Sequence, residues 1–198
     1  MNDFIQRLIA LFVLIIVSPL ILMLALLIGC THKRILFCYP RLGVHKKTFM
    51  LYKFTTMHIW SEKRFHFFLS HHPQEYNSWK NERKLINDPR ITYIGRLLRR
   101  FSLDELPQLW NVIKGDMRLV GPRPIEMDEE VLYGKYSNIL HSIKPGITGL
   151  WQVSGRNRVS YHRRIAMNIY YIRHRSVFLD MWIIYKTLWA VIGGNGAF

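Results

Sequence analysis

Cysteine is nearly absent: the 198-residue chain has two, Cys30 and Cys38. Two cannot build a disulfide framework, and no second ligand pair accompanies them for a structural zinc site. The signatures GxxxxGK(S/T), GxGxxG and HExxH are missing, so the P-loop, Rossmann and zincin classes have no support. Acids are scarce, 13 Asp and Glu against 28 Lys and Arg, which leaves a formal charge of +15. Internal repeats and low-complexity tracts are also missing. Yet 49% of residues are hydrophobic and 14% aromatic, which excludes a highly charged disordered chain. The length limits the protein to one compact domain plus an appendage. A nucleic acid, an anionic membrane surface or an anionic substrate would each explain the basic surplus.

The apolar residues are concentrated at the start. Leu8 to Gly29 is a stretch of 22 residues without a charge, above the roughly 20 that cross a bilayer core as a helix. Ser18-Pro19 sits in its middle. Proline removes a backbone donor and crowds the carbonyl four residues back, so a kink or break is expected there, with the Ser18 hydroxyl supplying part of the lost bonding. A kinked spanning helix and a helix that bends and leaves by the same face both fit. Leu27-Ile28-Gly29-Cys30 also resembles a lipoprotein cleavage box, although its leading segment carries only Arg7 against Asp3 and basic residues follow at Lys33-Arg34.

Charge is uneven along the remainder. Residues 1–57 hold seven Lys and Arg and one acid, whereas 104–143 hold four bases and seven acids. Arg34–Tyr39 and Thr48–Phe54 read as strands joined by a turn at 41–47. His58–Arg83 is polar and aromatic, a helix plus a loop. Ile91–Arg100 alternates apolar and basic residues at helical spacing. Met127–Leu140, Val159–Arg173 and Phe178–Ile192 also read as helices, and Leu150–Val153 as a strand. The last helix, with Trp182, Tyr185 and Trp189, fits either an interfacial helix or a buried one.

Three segments carry candidate chemistry. Ser102-Leu103-Asp104-Glu105 has the form of a helix capping box. It is also an adjacent carboxylate pair in a basic setting, in which one carboxylate can attack phosphorus and its neighbour hold Mg²⁺. In Gly121-Pro122-Arg123-Pro124 the flanking prolines restrict Arg123, which suits bidentate phosphate recognition as well as a rigid turn. The Gly149–Asn157 turn brings Arg156. Lys53, Arg90 and Arg96 taken singly read as solvated surface.

Several blocks occur in order: 87–92 (NDPRIT), 102–112 (SLDELPQLWNV), 114–117 (KGDM), 119–124 (LVGPRP) and 144–149 (KPGITG). Together they resemble the bacterial sugar transferases, the monotopic polyprenyl-phosphate phosphoglycosyl transferases. The match runs from the apolar N-terminus to Gly196-Ala197-Phe198. The resemblance implies a mainly helical α+β monotopic membrane protein. Residues 1–31 would be a re-entrant membrane helix broken at Ser18-Pro19. Residues 32–198 would be a catalytic domain with interfacial amphipathic helices and a small β-hairpin, on the cytoplasmic face of the bacterial inner membrane. The implied reaction moves a sugar-1-phosphate from a UDP-sugar to undecaprenyl phosphate and releases UMP, an early step of glycan assembly. Asp104 matches the nucleophile that forms a phosphosugar intermediate, and Glu105 its partner, with Mg²⁺ at the pair. Lys53, Arg90, Arg123, Pro124 and Arg156 match substrate- and phosphate-binding positions. Membrane lipid and downstream glycosyltransferases are implied partners, and nucleic acid is not. The chain departs from the family pattern at Cys38, Thr55, Arg158 and Asn168. Its closest likeness within the family is to transferases of hexose-1-phosphate, galactose or glucose. A membrane-anchored polyanion binder is the alternative from another class, and no nucleic-acid recognition signature supports it.

Overall fold

In the apolar N-terminal stretch the side chain of Asn2 accepts a hydrogen bond from Phe4 N and starts α1, Asp3–Gly29. The computed structural model describes residues 1–60, 62–82, 85, 88–155 and 159–193. An antiparallel hairpin follows: β1, Leu36–Leu42, pairs with β2, Thr48–Phe54, in a register from Leu36 opposite Phe54 to Leu42 opposite Thr48. β1 starts two residues later and ends three residues later than the expected strand Arg34–Tyr39. It takes in Pro40, which a two-stranded ladder tolerates on its free outer edge. The aromatic segment folds as two helices, α2, Glu62–His71, and α3, Pro73–Glu82. Thr92 then caps α4, Tyr93–Arg100, through Gly95 N.

A 3₁₀ turn at Leu103–Glu105 leads into α5, Gln108–Lys114, which begins directly after Pro107. β3, Arg118–Val120, follows. Met127–Leu140 is interrupted: α6, Glu130–Tyr133, gives way to a 3₁₀ turn at Gly134–Tyr136 and then α7, Ser137–Leu140. β4, Gly146–Thr148, pairs parallel with β3. The expected strand at Leu150–Val153 is instead a helical turn, α8, in which Gln152 N and Val153 N both bond the Gly149 carbonyl. A four-residue apolar run carries too little periodicity to separate the two. Two long helices close the chain, α9, Tyr161–His174, and α10, Val177–Ile192. The fold is therefore mainly helical α+β, with two small sheets among the described residues.

Pro19 cannot donate to the Ile15 carbonyl. The Ser18 hydroxyl donates to that carbonyl instead, at 2.8 Å, and α1 continues through the proline as one helix. Both halves of α1 dock on the rest of the chain. Ala10, Val13, Leu14 and Val17 pack with Leu51, Leu109, Val112 and Met117. Leu20, Leu24 and Ile28 pack with Phe54, Leu98 and Leu106. Each large side chain buried this way contributes about 1.5–3 kcal/mol. Gln6 is buried despite its polarity because Oε1 accepts from Leu119 N at 2.9 Å, tying α1 to β3. The other face of α1 leaves Phe4, Phe12, Ile15, Ile16, Leu22 and Leu26 exposed. Among the described residues α1 alone is long and apolar enough to cross a membrane. α10 likewise exposes Phe178, Trp182, Tyr185 and Trp189, so it is not a buried core helix.

Candidate active site

Ser102 adopts a left-handed conformation, φ 54°, and turns the chain sharply after α4. Its side chain makes no capping bond, so the capping box does not form. Leu103 and Leu106 drop into the cluster formed by α1, β2 and α4. Between them, the turn presents Asp104, which is 6% exposed, and Glu105, which is half-buried.

Lys53 reaches this pair from β2. Its Nζ donates to Glu105 Oε1 at 2.6 Å and lies 3.9 Å from Asp104 Oδ2. A fully buried residue outside the expected set fixes that approach. Asn111, on α5, accepts from Tyr52 N at 3.1 Å and donates to Met50 O at 2.7 Å. The carboxamide thus extends the hairpin ladder as a strand backbone would, locking β2 to the helix that the carboxylate turn initiates. Nothing in its local sequence distinguishes Asn111 from a surface residue.

Arg99, also unexpected, enters from the last turn of α4, where Nε donates to Thr56 Oγ1 at 3.0 Å. Gly95 makes this approach possible, since a Cβ there would lie 2.0 Å from the Thr56 carbonyl oxygen. Thr55 is buried beside Thr56. Burial pushes the Asp104 carboxyl above its usual range; Lys53 opposes this, Glu105 adds to it, and Arg99 works on the side of Lys53. A positive charge brought close to Asp104 therefore favours its ionised form.

Arg123 follows β3 in a segment held on both sides by backbone bonds, Gly121 N to Thr148 O and Gly146 N to Pro122 O, both 2.9 Å. Burial disfavours its charge, but Glu129, Glu105, Tyr133 and Tyr161 together act the other way, and the guanidinium is held above its ordinary value. Arg123 thus feels the charge of Glu105, one member of the carboxylate pair. Arg41, from β1, lies in the same neighbourhood, with Nη2 2.7 Å from Glu126 and Nη1 3.5 Å from Glu129. Pro124 is half-buried beside Arg123.

The remaining expected residues lie elsewhere. Arg90 forks onto Asp88, with contacts of 2.8 and 2.6 Å, and lies 4.4 Å from the Phe65 ring centroid. Among the described contacts none links it to the carboxylates. Arg156 and Arg158, Asn87 of the 87–92 block and Gly196-Ala197-Phe198 lie outside the described residues. Ser18 and Pro19 are mid-helix in α1. Cys38 is exposed, and Asn168 is buried and donates to Tyr133 Oη at 2.9 Å.

Among the described residues no group of three or more His, Cys, Asp or Glu gathers as a dedicated metal cage. Asp104 and Glu105 supply adjacent carboxylates, the donor set Mg²⁺ takes when substrate phosphates and water complete its shell.

A family model, Bacterial sugar transferase, matches residues 1–194. The chain is 41% identical over 192 residues to the exopolysaccharide production protein ExoY of Sinorhizobium fredii, covering 96% of this chain and 85% of that protein. It is 42% identical over 186 residues to the undecaprenyl-phosphate galactose phosphotransferase of Salmonella typhimurium, covering 94% of this chain but 39% of the relative. It is 34% identical over 197 residues to the undecaprenyl-phosphate glucose phosphotransferase of Komagataeibacter xylinus, covering 93% of this chain and 34% of that relative. The chain belongs to the bacterial sugar transferase family.

Proposed function

We propose that the chain transfers a hexose-1-phosphate from a UDP-sugar to undecaprenyl phosphate and releases UMP. The observation that carries this reading is a buried carboxylate, Asp104, beside a second one, Glu105, with Lys53 held against the pair and Arg123, set in a rigid loop, acting electrostatically on Glu105. In the first displacement an Asp104 oxygen bonds to the sugar-bearing phosphorus, and the bond from that phosphorus to the bridging oxygen breaks, so that UMP leaves with the oxygen. In the second, an oxygen of undecaprenyl phosphate bonds to the same phosphorus. The acyl-phosphate bond breaks, which restores the Asp104 carboxylate and gives the lipid diphosphate sugar.

Lys53 favours the ionised form of the nucleophile, and Arg123 offsets charge on the phosphates. Asp104 and Glu105 are the residues that would hold Mg²⁺, which would supply charge neutralisation at the phosphates. A galactose or glucose donor is supported by the names of the galactose and glucose phosphotransferases to which the chain is similar.

The proposed membrane arrangement rests on α1. Its two halves dock on one body and its outer face is apolar. That supports a helix whose ends share one membrane face; the face proposed is the cytoplasmic one of the inner membrane. The exposed aromatics of α10 support a second contact with the interface. The acceptor phosphate is confined to headgroup level, so an active site packed on α1 meets it there. Purified protein incubated with Mg²⁺, undecaprenyl phosphate and a panel of UDP-sugars is expected to release UMP with UDP-galactose or UDP-glucose. No release with any common UDP-sugar would overturn the reading.

A further inference from the structure

Beside Arg123 the chain buries a set of hydrogen-bond donors that have no acceptor. Trp151 is 5% exposed and Arg164 6%. Arg164 Nε donates to Val159 O at 3.0 Å, but Nη2 finds no hydrogen-bond acceptor, and Glu82 Oε2 stands 3.7 Å away. The Trp151 indole N–H is likewise buried without a hydrogen-bond acceptor, as are Nε and Nη1 of Arg41, Nη1 standing 3.5 Å from Glu129 Oε2. The guanidinium carbons of Arg123 and Arg164 lie 5.6 and 5.1 Å from the Trp151 ring centroid. Burial, and then the charge of Arg123, hold the guanidiniums of both Arg41 and Arg164 below their ordinary values, while nearby carboxylates act the other way. Three elements thus carry cations to one place, β1, the loop after β3, and α9. Buried donors are nearly always paired in folded proteins, so an excess of donors at one place describes the missing partner: an anion rich in acceptor oxygens.

Two anions in the proposed reaction have that chemistry, the diphosphate of the soluble donor and the phosphate of the lipid acceptor. Packing favours the first. Tyr133 and Tyr161, which act electrostatically on Arg123, belong to a cluster with Leu42, Ile125 and Ile165 that contains no α1 residue. The flanks of Asp104, Leu103 and Leu106, pack instead with Leu24 and Ile28 of α1. The carboxylates therefore sit on the α1 side of the site and the guanidiniums on the side away from it.

We infer that Arg41, Arg164 and the indole N–H of Trp151 join Arg123 in a binding site for the diphosphate of the nucleotide-sugar donor. The inference rests on the proposed transfer reaction for the identity of the donor but not for the presence of the site. The test uses the full chain in detergent with two readouts: affinity for inorganic pyrophosphate by calorimetry, and KM values for UDP-galactose and undecaprenyl phosphate. Arg41→Lys, Arg164→Lys and Trp151→Phe are each expected to weaken pyrophosphate roughly tenfold, as for a lost charge-assisted or geometrically matched hydrogen bond. The same variants should raise the KM for UDP-galactose by a similar factor and leave that for undecaprenyl phosphate within about twofold, again on tenfold-per-bond arithmetic. Arg173→Gln, which removes an exposed charge on α9, should change neither. Should Arg164→Lys fail to fold, Arg41→Lys and Trp151→Phe carry the same test from other elements. Folded variants with wild-type pyrophosphate affinity would overturn the inference, as would a rise confined to the KM for undecaprenyl phosphate. Arginine-dependent pyrophosphate binding without turnover of any UDP-sugar would uphold the site and count against the transfer reaction.

Discussion

Lys53 Nζ donates to Glu105 Oε1 at 2.6 Å, so the ammonium is anchored on the neighbour of Asp104 and reaches Asp104 itself only at 3.9 Å. The anchored charge works against the burial that raises the Asp104 carboxyl. Below its raised pKa Asp104 is protonated and unable to attack phosphorus, so activity falls on the acid side. In Lys53→Met the largest opposing charge is gone, and the acid limb of kcat/KM should move to higher pH, with a rate loss of roughly tenfold or more. A limb that stays in place would separate Lys53 from the ionisation of Asp104.

Burying Asp104 as a charge costs stability. Its folded pKa is raised, so the folded state holds the proton more tightly than the unfolded chain. The stability it contributes is present at low pH and is lost as pH rises through the folded pKa. Asp104→Asn removes this cost at neutral pH. The variant should gain about 1–2 kcal/mol, visible as a higher melting temperature, while losing turnover. A lower melting temperature would contradict the burial argument.

Asn111 is expected to act as a positioning residue. Its replacement by Ala leaves Tyr52 N and Met50 O without their partner and should cost about 2–4 kcal/mol. Because β2 carries Lys53, the surviving folded fraction should also show the altered acid limb of Lys53→Met. Thermal unfolding and a pH–rate profile on the same preparation check both parts.

Gly95→Ala places a methyl group 2.0 Å from the Thr56 carbonyl, which forces α4 away from the end of the hairpin. A loss of about 2 kcal/mol or more is expected, with kcat reduced through the displaced Arg99. Chemical denaturation gives the first quantity and UMP release the second.

The docked course of α1 makes a topological prediction. In a Cys38→Ser background, Cys30 and a cysteine replacing Asn2 mark the two ends of the helix. A membrane-impermeant maleimide should label both in inside-out vesicles and neither in right-side-out vesicles. Labelling of the two ends from opposite sides would mean that α1 spans.

The parts of this fold that are legible in the sequence are those with length and period. These are the uncharged run of α1, the Thr48–Phe54 strand, and the helices α4, α9 and α10. β3 and β4 have three residues each and exist because Arg118 meets Gly146 and Val120 meets Thr148. No local pattern announces such a pairing. Asp104 and Glu105 stand out as an adjacent acid pair in a basic setting, and Arg123 because of its two flanking prolines. Asn111 acquires its role from backbone about 60 residues away, as its bonds to Tyr52 and Met50 show. Arg41 and Arg164 likewise read as ordinary bases until the fold buries them beside Arg123. Arg90 shows the converse, a matching base that the fold commits to Asp88 and an aromatic face.

The central claim is that Asp104 carries the phosphosugar. Intact-mass spectrometry of the full chain, incubated with UDP-galactose or UDP-glucose and Mg²⁺ but without undecaprenyl phosphate, tests it most directly. The account predicts a mass increase of one hexose phosphate on the wild-type chain, its disappearance on adding undecaprenyl phosphate, and no adduct on Asp104→Asn. An adduct on Asp104→Asn, or UMP-releasing turnover in a protein that never carries an adduct, would contradict it.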